Sequence, residues 1–230
     1  MKCLFFATLL LTPLLRAADT PPKTAEEILR TVRQNYAHQN QKLQGELRDG
    51  DSGRTEPMEL TMGNEVMNFV FTNPPVESIR LDFSTTPATL YQTRKGATNK
   101  VPSSQLGSQV RGMDFNYEDL SLGFLYWPRP ELMQETRVSK LKCWVVRVMN
   151  PGKASPYHAV DIYVHQASGT ALRMMAYDQN SKVIKHYEVI SAQKVNGVQA
   201  LKELRVETLD PATGKVTGRT YMTMKPPAKP

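Results

Sequence analysis

Three carboxylates, Asp114, Glu118 and Asp119, fall close together with Arg111 just ahead of them, and nowhere else in the chain do acidic side chains converge in this way. Paired carboxylates can divide general-acid and general-base work, so this is the first place to look for catalysis. The same residues have a simpler reading. Asn116 followed three residues later by Asp119 is a helix start, and early acids suit the positive end of a helix dipole. Arg111 then becomes an ion-pair partner of the cluster or a guard at a cavity rim. The histidines, His38, His158, His165 and His186, lack metal-binding spacing; His158 and His165 differ by seven, which places them on opposite faces of a strand. No Gly-x-Ser-x-Gly elbow, phosphate loop or dinucleotide fingerprint occurs. Cys143, in a run of strand-forming residues, reads as a small buried apolar side chain rather than a nucleophile. The chain therefore reads as a non-enzyme without a metal or cofactor.

The stretch that carries the acids is more distinctive for its apolar side chains. Residues 111–127 form the most aromatic segment of the chain beyond its leader, and Phe115, Leu120, Phe124 and Trp127 recur at spacings that make one side of a short helix greasy. Gly123 limits that helix, and Pro128 and Pro130 close it. Such a piece is a plug or lid for a sheet.

The elements that would present a sheet lie on both sides. Residues 24–39 read as an amphipathic helix, with Thr24 and Glu27 as a capping box and Ile28, Leu29, Val32 and Tyr36 as its stripe. Short strands follow. In one of them Met67, Phe69 and Phe71 share a face; in the next Ile79, Leu81 and Phe83 do. Residues 96–111 are polar and read as an exposed, mobile loop. From residue 131 onward a run of strands is separated by turns rich in Asp, Asn, Ser and Gly, which points to an antiparallel meander. The fold class is mainly β (α+β), with ten or eleven strands. A sheet of that width must curl, giving an incomplete barrel covered by the N-terminal helix and the short central helix. The methionines and aromatics facing inward would either fill a core or line an emptier cavity, and the sequence alone leaves both open.

The first seventeen residues match a secretory signal peptide: Lys2, an apolar run from Leu4 to Leu15, and small residues at Ala17 and Ala18. Cys3 precedes the apolar run and would leave with it, so the product is not lipid-anchored. Removing residues 1–17 takes Lys2 and Arg16 from the 29 basic residues and leaves 27 against 22 acidic ones, a formal charge of +5. The basic residues are scattered among acids, which argues against nucleic acid as a partner. With one cysteine remaining, no internal disulfide is available, and the single domain expected over residues 18–224 must be held by its core. Residues 225–230 read as a frayed tail.

The segment Gly112-Met-Asp-Phe-Asn-Tyr-Glu-Asp-Leu-Ser resembles the Gly-x-Asp-Phe-x-Tyr-Glu-Asp-Leu segment of outer-membrane lipoprotein-sorting proteins, the LolA/LolB-like group, in an uncharacterised branch. Cys143-Trp144-Val145-Val146 and the hairpin Arg173-Met-Met-Ala-Tyr-Asp-Gln-Asn-Ser-Lys-Val-Ile-Lys agree with it. The resemblance implies a periplasmic monomer whose apolar cavity and lid, here Met67, Phe69, Phe71, Leu81, Phe83, Phe115, Tyr117, Leu120, Phe124 and Trp127, bind lipoprotein acyl chains or another lipid. It implies as partners an inner-membrane release complex or an outer-membrane acceptor. Sheltering a long acyl chain is a physically sizeable task, about 0.8 kcal/mol per methylene and on the order of 10 kcal/mol per chain. The family's carriers use an arginine of an early strand to hold the lid; Arg48 and Arg54 are the nearby candidates, and the sequence does not choose between them. The alternative is an envelope sensor or interaction module with the same fold. A hydrolase built on Asp114, Glu118 or Asp119 is a third reading.

Overall fold

Side chains that alternate between buried and exposed generate most of the architecture. In the computed structural model, which describes residues 23–152 and 154–227, the residues form two α-helices and thirteen strands. The expected signal peptide and residues 228–230 of the expected tail lie outside the described residues. Helix α1 spans Ala25–Ala37, and α2 spans Tyr117–Ser121. The first six strands are β1 (Gln41–Asp49), β2 (Thr55–Gly63), β3 (Val66–Phe71), β4 (Glu77–Asp82), β5 (Thr89–Arg94) and β6 (Ala97–Lys100). The remaining seven are β7 (Glu131–Val138), β8 (Leu141–Met149), β9 (Ala159–His165), β10 (Ala171–Tyr177), β11 (Val183–Val195), β12 (Val198–Leu209) and β13 (Val216–Lys225).

All thirteen belong to one antiparallel sheet, in the order β6-β5-β4-β3-β2-β1-β13-β12-β11-β10-β9-β8-β7. Two meanders thus meet where β1 pairs with β13, and the strands at the outer edges, β6 and β7, are neighbours in sequence. Residues 101–130 must therefore run from one edge of the sheet to the other. They do so across its apolar face.

The curl of the sheet follows from α1. This helix touches both β3 and β8, which stand eight strand spacings apart. Laid flat that separation is about 38 Å, whereas a helix of 13 residues is only about 20 Å long. The sheet has to bend into a trough for one helix to reach both sides. Inward-facing residues pair across strands in continuous rows: Leu43, Leu60, Phe69 and Ile79 form one, and Met62, Met67, Leu81 and Leu90 another. The trough is open, with β6 and β7 each paired on one side only.

The count of ten or eleven strands is corrected to thirteen. Ala97–Lys100 is fully exposed and has no apolar alternation, so its pattern reads as loop; it is a strand because the Lys95-Gly96 turn folds it back onto β5. The expected mobile loop is accordingly shorter, and its remainder carries a 3-10 turn at Ser103–Gln105. Strands β11 and β12 run to 13 and 12 residues because Asn196 and Gly197, with φ of 51° and 82°, make a tight hairpin between them. Lys225, assigned to the frayed tail, pairs with Gln44 at the end of β13.

Among the described residues the outer face of the trough has no second layer, and cross-strand ion pairs run along it. Arg147 of β8 makes a two-point contact with Asp161 of β9 at 2.6 and 2.7 Å. Arg173 and Arg205 flank Glu188, while Arg219 and His186 reach Glu207. Burial alone would push the Glu188 and Glu207 carboxyls up; the arginines more than reverse this, and both end below the usual carboxylate value of 4.5. A carboxyl depressed in the folded state contributes stability that is present above its unfolded pKa and lost as pH falls through its folded one. The thermal midpoint should therefore drop as the pH is lowered from 4.5 towards about 3. A Glu188→Gln/Glu207→Gln protein should show a shallower acid slope over that window in the same melting series, and an unchanged slope would contradict this account.

Candidate functional site

The segment that crosses the trough is organised by a capping box. Asn116 is extended, its side chain accepts from the Asp119 N–H at 2.9 Å, and Asp119 accepts in return from the Asn116 N–H at 2.7 Å. One turn of α2 results. Leu122 then adopts a left-handed conformation with φ of 50°, and a 3-10 turn at Gly123–Tyr126 completes the segment.

Asp119 does more than cap. Lys185 of β11 donates to its Oδ2 at 2.9 Å, and the hydroxyls of Tyr157 and Tyr187 both donate to its Oδ1. Asn116 donates to the Tyr157 oxygen at 2.8 Å. All five residues are buried. Burial and the Asp119 charge hold both tyrosines well above their ordinary pKa, so they stay protonated as donors. This carboxylate is saturated.

Asp114 is held independently. Its N–H donates to the Thr220 hydroxyl at 2.9 Å, and its carboxylate accepts from Thr220 at 3.0 Å and Thr208 at 2.8 Å. Gly218 makes room for it: a Cβ there would lie 2.3 Å from the Asp114 oxygen. Glu118 is buried as well. Asp114 and Asp119 are thus tied to different strands by separate sets of donors, which is the arrangement of anchors rather than of an acid and base sharing a substrate.

Arg111 does not pair with the acid cluster, the first of the two roles expected for it. It faces the other wall of the trough, where its Nε and Nη2 donate to Glu56 of β2 at 3.0 and 2.6 Å and its Nη1 to the Pro75 carbonyl at 2.9 Å. Arg54, just before β2, donates to the carbonyls of Arg111 at 3.1 Å and Gly112 at 2.9 Å. Of the two candidate early arginines, Arg54 is therefore the one that grips the segment. Arg48 instead stacks on Tyr221 at 4.6 Å. A further anchor sits at Tyr117, which donates to Glu77 of β4 at 3.2 Å and has its pKa pushed up to about 12 by burial and by the Glu77 charge.

Between these anchors the trough is filled with apolar side chains. Met67, Phe69, Phe71, Leu81 and Phe83 form its floor on β3 and β4 and just beyond, and Phe115, Tyr117, Leu120, Phe124 and Trp127 descend from the segment; all ten are at most 9% exposed and belong to one cluster. At the far end Arg33 of α1 donates to the Leu125 carbonyl at 2.7 Å and lies over Tyr126. Beside it a groove of about 510 Å³ opens between α1 and the segment, with Phe83, Tyr126 and Trp127 on one side and Arg30 and His38 on the other.

Several anchoring residues escape a reading of motifs: Glu56, Glu77, Lys185 and Thr220. Each is a polar residue on the inward register of its strand, in step with Met58, Ile79, Tyr187 and Met222 respectively. A polar side chain on an apolar register was the available signal. The histidines are dispersed, His186 on Glu207 and His165 on Ser168. Among the described residues no group of three or more His, Cys, Asp or Glu could hold a metal ion. Cys143 is buried in β8, and burial pushes its thiol up.

A family model described only as an uncharacterised protein matches residues 88–227. No curated protein matches the chain. Among solved structures, it is similar to a putative outer-membrane lipoprotein-sorting protein domain from Vibrio parahaemolyticus (TM-score 0.68, 14% identity, 87% of this chain and 91% of that one). It is also similar to a DUF1329 family protein from Desulfovibrio piger (0.67, 15%, 87% and 90%) and to a LolA superfamily protein from Nitrosomonas europaea (0.60, 15%, 91% and 96%). The likeness is one of fold, the LolA-like open half-barrel.

Two substitutions test the anchors. Lys185→Met leaves Asp119 without its cation in a buried setting and should cost about 3–5 kcal/mol in a denaturant titration, since an orphaned buried charge is more costly than a missing pair. Gly218→Ala drives a methyl group into the Asp114 carboxylate and should cost about 1–3 kcal/mol in the same titration. Losses within a few tenths of a kcal/mol of zero would show that these contacts do not hold the segment.

Proposed function

The chain belongs to the family of uncharacterised proteins whose model spans residues 88–227, and from its fold and trough we propose that it is a periplasmic carrier of lipoprotein acyl chains or another lipid, catalysing no reaction. On this reading residues 1–17 direct export and are removed, and residues 18–224 form the working domain. The observation that carries the proposal is the manner in which the apolar face is hidden. Ten large apolar side chains, from Met67 to Trp127, meet on the concave side of an open sheet whose cover is one helix and one crossing segment. A cover of separate pieces can be displaced, and an apolar guest can then take over the contacts it gave up, because hydrophobic burial is non-directional and scales with area. No helix of the described residues is long and apolar enough to cross a membrane. An inner-membrane release complex and an outer-membrane acceptor would be the partners of such a carrier, and a monomer its working form.

One observation favours a second reading. The trough is occupied by Phe115, Phe124 and Trp127, each at most 3% exposed, as the interior of a finished core would be. A half-barrel that keeps its face covered would serve as a sensor or interaction module meeting a protein partner. Native mass spectrometry of gently extracted protein, together with titration of a fluorescent fatty acid into the purified chain, separates the two. The carrier should retain a lipid and bind the probe in competition with it. A protein free of lipid and blind to the probe would remove the carrier reading.

A further inference from the structure

The two pieces that cover the trough are held by different kinds of force. Residues 111–119 are held by directional bonds to buried partners on the sheet: Arg111 on Glu56, Asp114 on Thr208 and Thr220, and Asp119 on Lys185 and two tyrosines. Helix α1 is held differently. Its inner stripe, Ala25, Ile28, Leu29 and Val32, makes apolar contact only, and Tyr36 stacks on Phe83 with ring centroids 6.5 Å apart. Its charges are largely spent on one another, with Arg33 2.6 Å from Glu26 and Arg30 4.0 Å from Glu27. Its polar reach to the rest of the molecule includes Asn35 donating to the Ser168 carbonyl at 2.9 Å and Arg33 donating to that of Leu125.

The crossing segment changes character where Leu122 turns left-handed. Ahead of that point Arg111, Asp114 and Asp119 are tied to the sheet; beyond it, the Leu125 carbonyl is held by α1 and the Tyr126 hydroxyl meets the Ala88 backbone. The groove of about 510 Å³ runs along this seam, between the second half of α1 and residues 126–128. A methylene chain can replace the contacts of a greasy helix stripe, since such contacts depend on area and not on direction. It can replace none of the bonds made by Arg111, Asp114 or Asp119, because it has neither donors nor acceptors to satisfy what they would leave behind.

We propose that α1 is the moving cover of the trough, parting from the turn at Gly123–Tyr126 along the existing groove, while residues 111–121 stay in place as the fixed part of the cover. Only the nature of the guest rests on the carrier reading; the order of opening does not. Hydrogen exchange on the full chain tests that order without any lipid. The amides of α1 and of the Gly123–Tyr126 turn should exchange at least about tenfold faster than those of Asp114, Tyr117, Glu118 and Asp119, as for a unit that opens locally. Equal rates, or faster exchange in residues 114–119, would overturn the proposal.

A second arm uses a cross-link. In a Cys143→Ala background, Asn35→Cys with Ser168→Cys joins α1 to the turn between β9 and β10. The oxidised form should lose uptake of a fluorescent fatty acid by at least about tenfold, and reduction should restore it. Uptake unaffected by the cross-link would overturn the role of α1. Absence of uptake in both forms, with the exchange order as expected, would sink the carrier reading and leave the opening order standing.

Discussion

A wide sheet with one apolar face has to hide that face, and this constraint governs nearly everything else in the molecule. Thirteen strands offer more greasy surface than one helix of thirteen residues can cover while the sheet stays flat. Bending the sheet shrinks the area to be covered and brings both walls within reach of α1. It also lets the chain cross the trough between its two edge strands. The crossing segment is thus demanded by topology as well as by burial: β6 and β7 are adjacent in sequence and lie at opposite margins of the sheet. An aromatic composition is what such a crossing requires, because any side chain pointing down from residues 110–127 enters an apolar interior.

Much of this is legible in the residue order, and the parts that are not share a physical cause. The helix start at Asn116 and Asp119 is local, so it can be read three residues at a time; the helix begins there, and the two residues close it as a capping box. The alternation Met67, Phe69, Phe71 is likewise local and yields β3. Partners across the trough are not local. Arg111 lies next to the acids in sequence yet bonds Glu56 of β2, on the opposite wall of the trough. Strand β6 is invisible to periodicity because both its faces are exposed, so no apolar alternation marks it. The Asn196-Gly197 hairpin has a local signature, and its turn chemistry lets β11 and β12 pair up to the turn itself.

The outer face shows what a sheet does without a second layer. Rows of arginine and carboxylate alternate across β8 to β13, with tyrosines stacked under guanidinium groups, as Arg173 over Tyr163 and Arg147 over Tyr177. Pairs of this kind, a buried or half-buried carboxylate under a partly exposed arginine, contribute modestly one by one. Their value here is to lay long side chains flat over the strands, shielding apolar surface with their methylene stems while the charged ends stay hydrated. Cys143 and Val145 are buried on this side of β8.

Buried charges in the trough raise the opposite question, since a hydrophobic replacement of similar volume often stabilises a protein as well as a buried ion pair does. The answer lies in what apolar contact cannot do. A greasy segment laid in a greasy trough has many placements of similar energy, because sliding it by one residue exchanges one methylene contact for another. Asp119 under Lys185, Asp114 between Thr208 and Thr220, and Arg111 on Glu56 remove that freedom: each bond names one strand and one position along it, and a slipped segment would leave every one of these groups buried without a partner. The anchors therefore set the register of the crossing, and the apolar side chains between them supply its cohesion. A trough whose crossing segment is registered in this way can keep its shape while a helix held by area alone comes and goes.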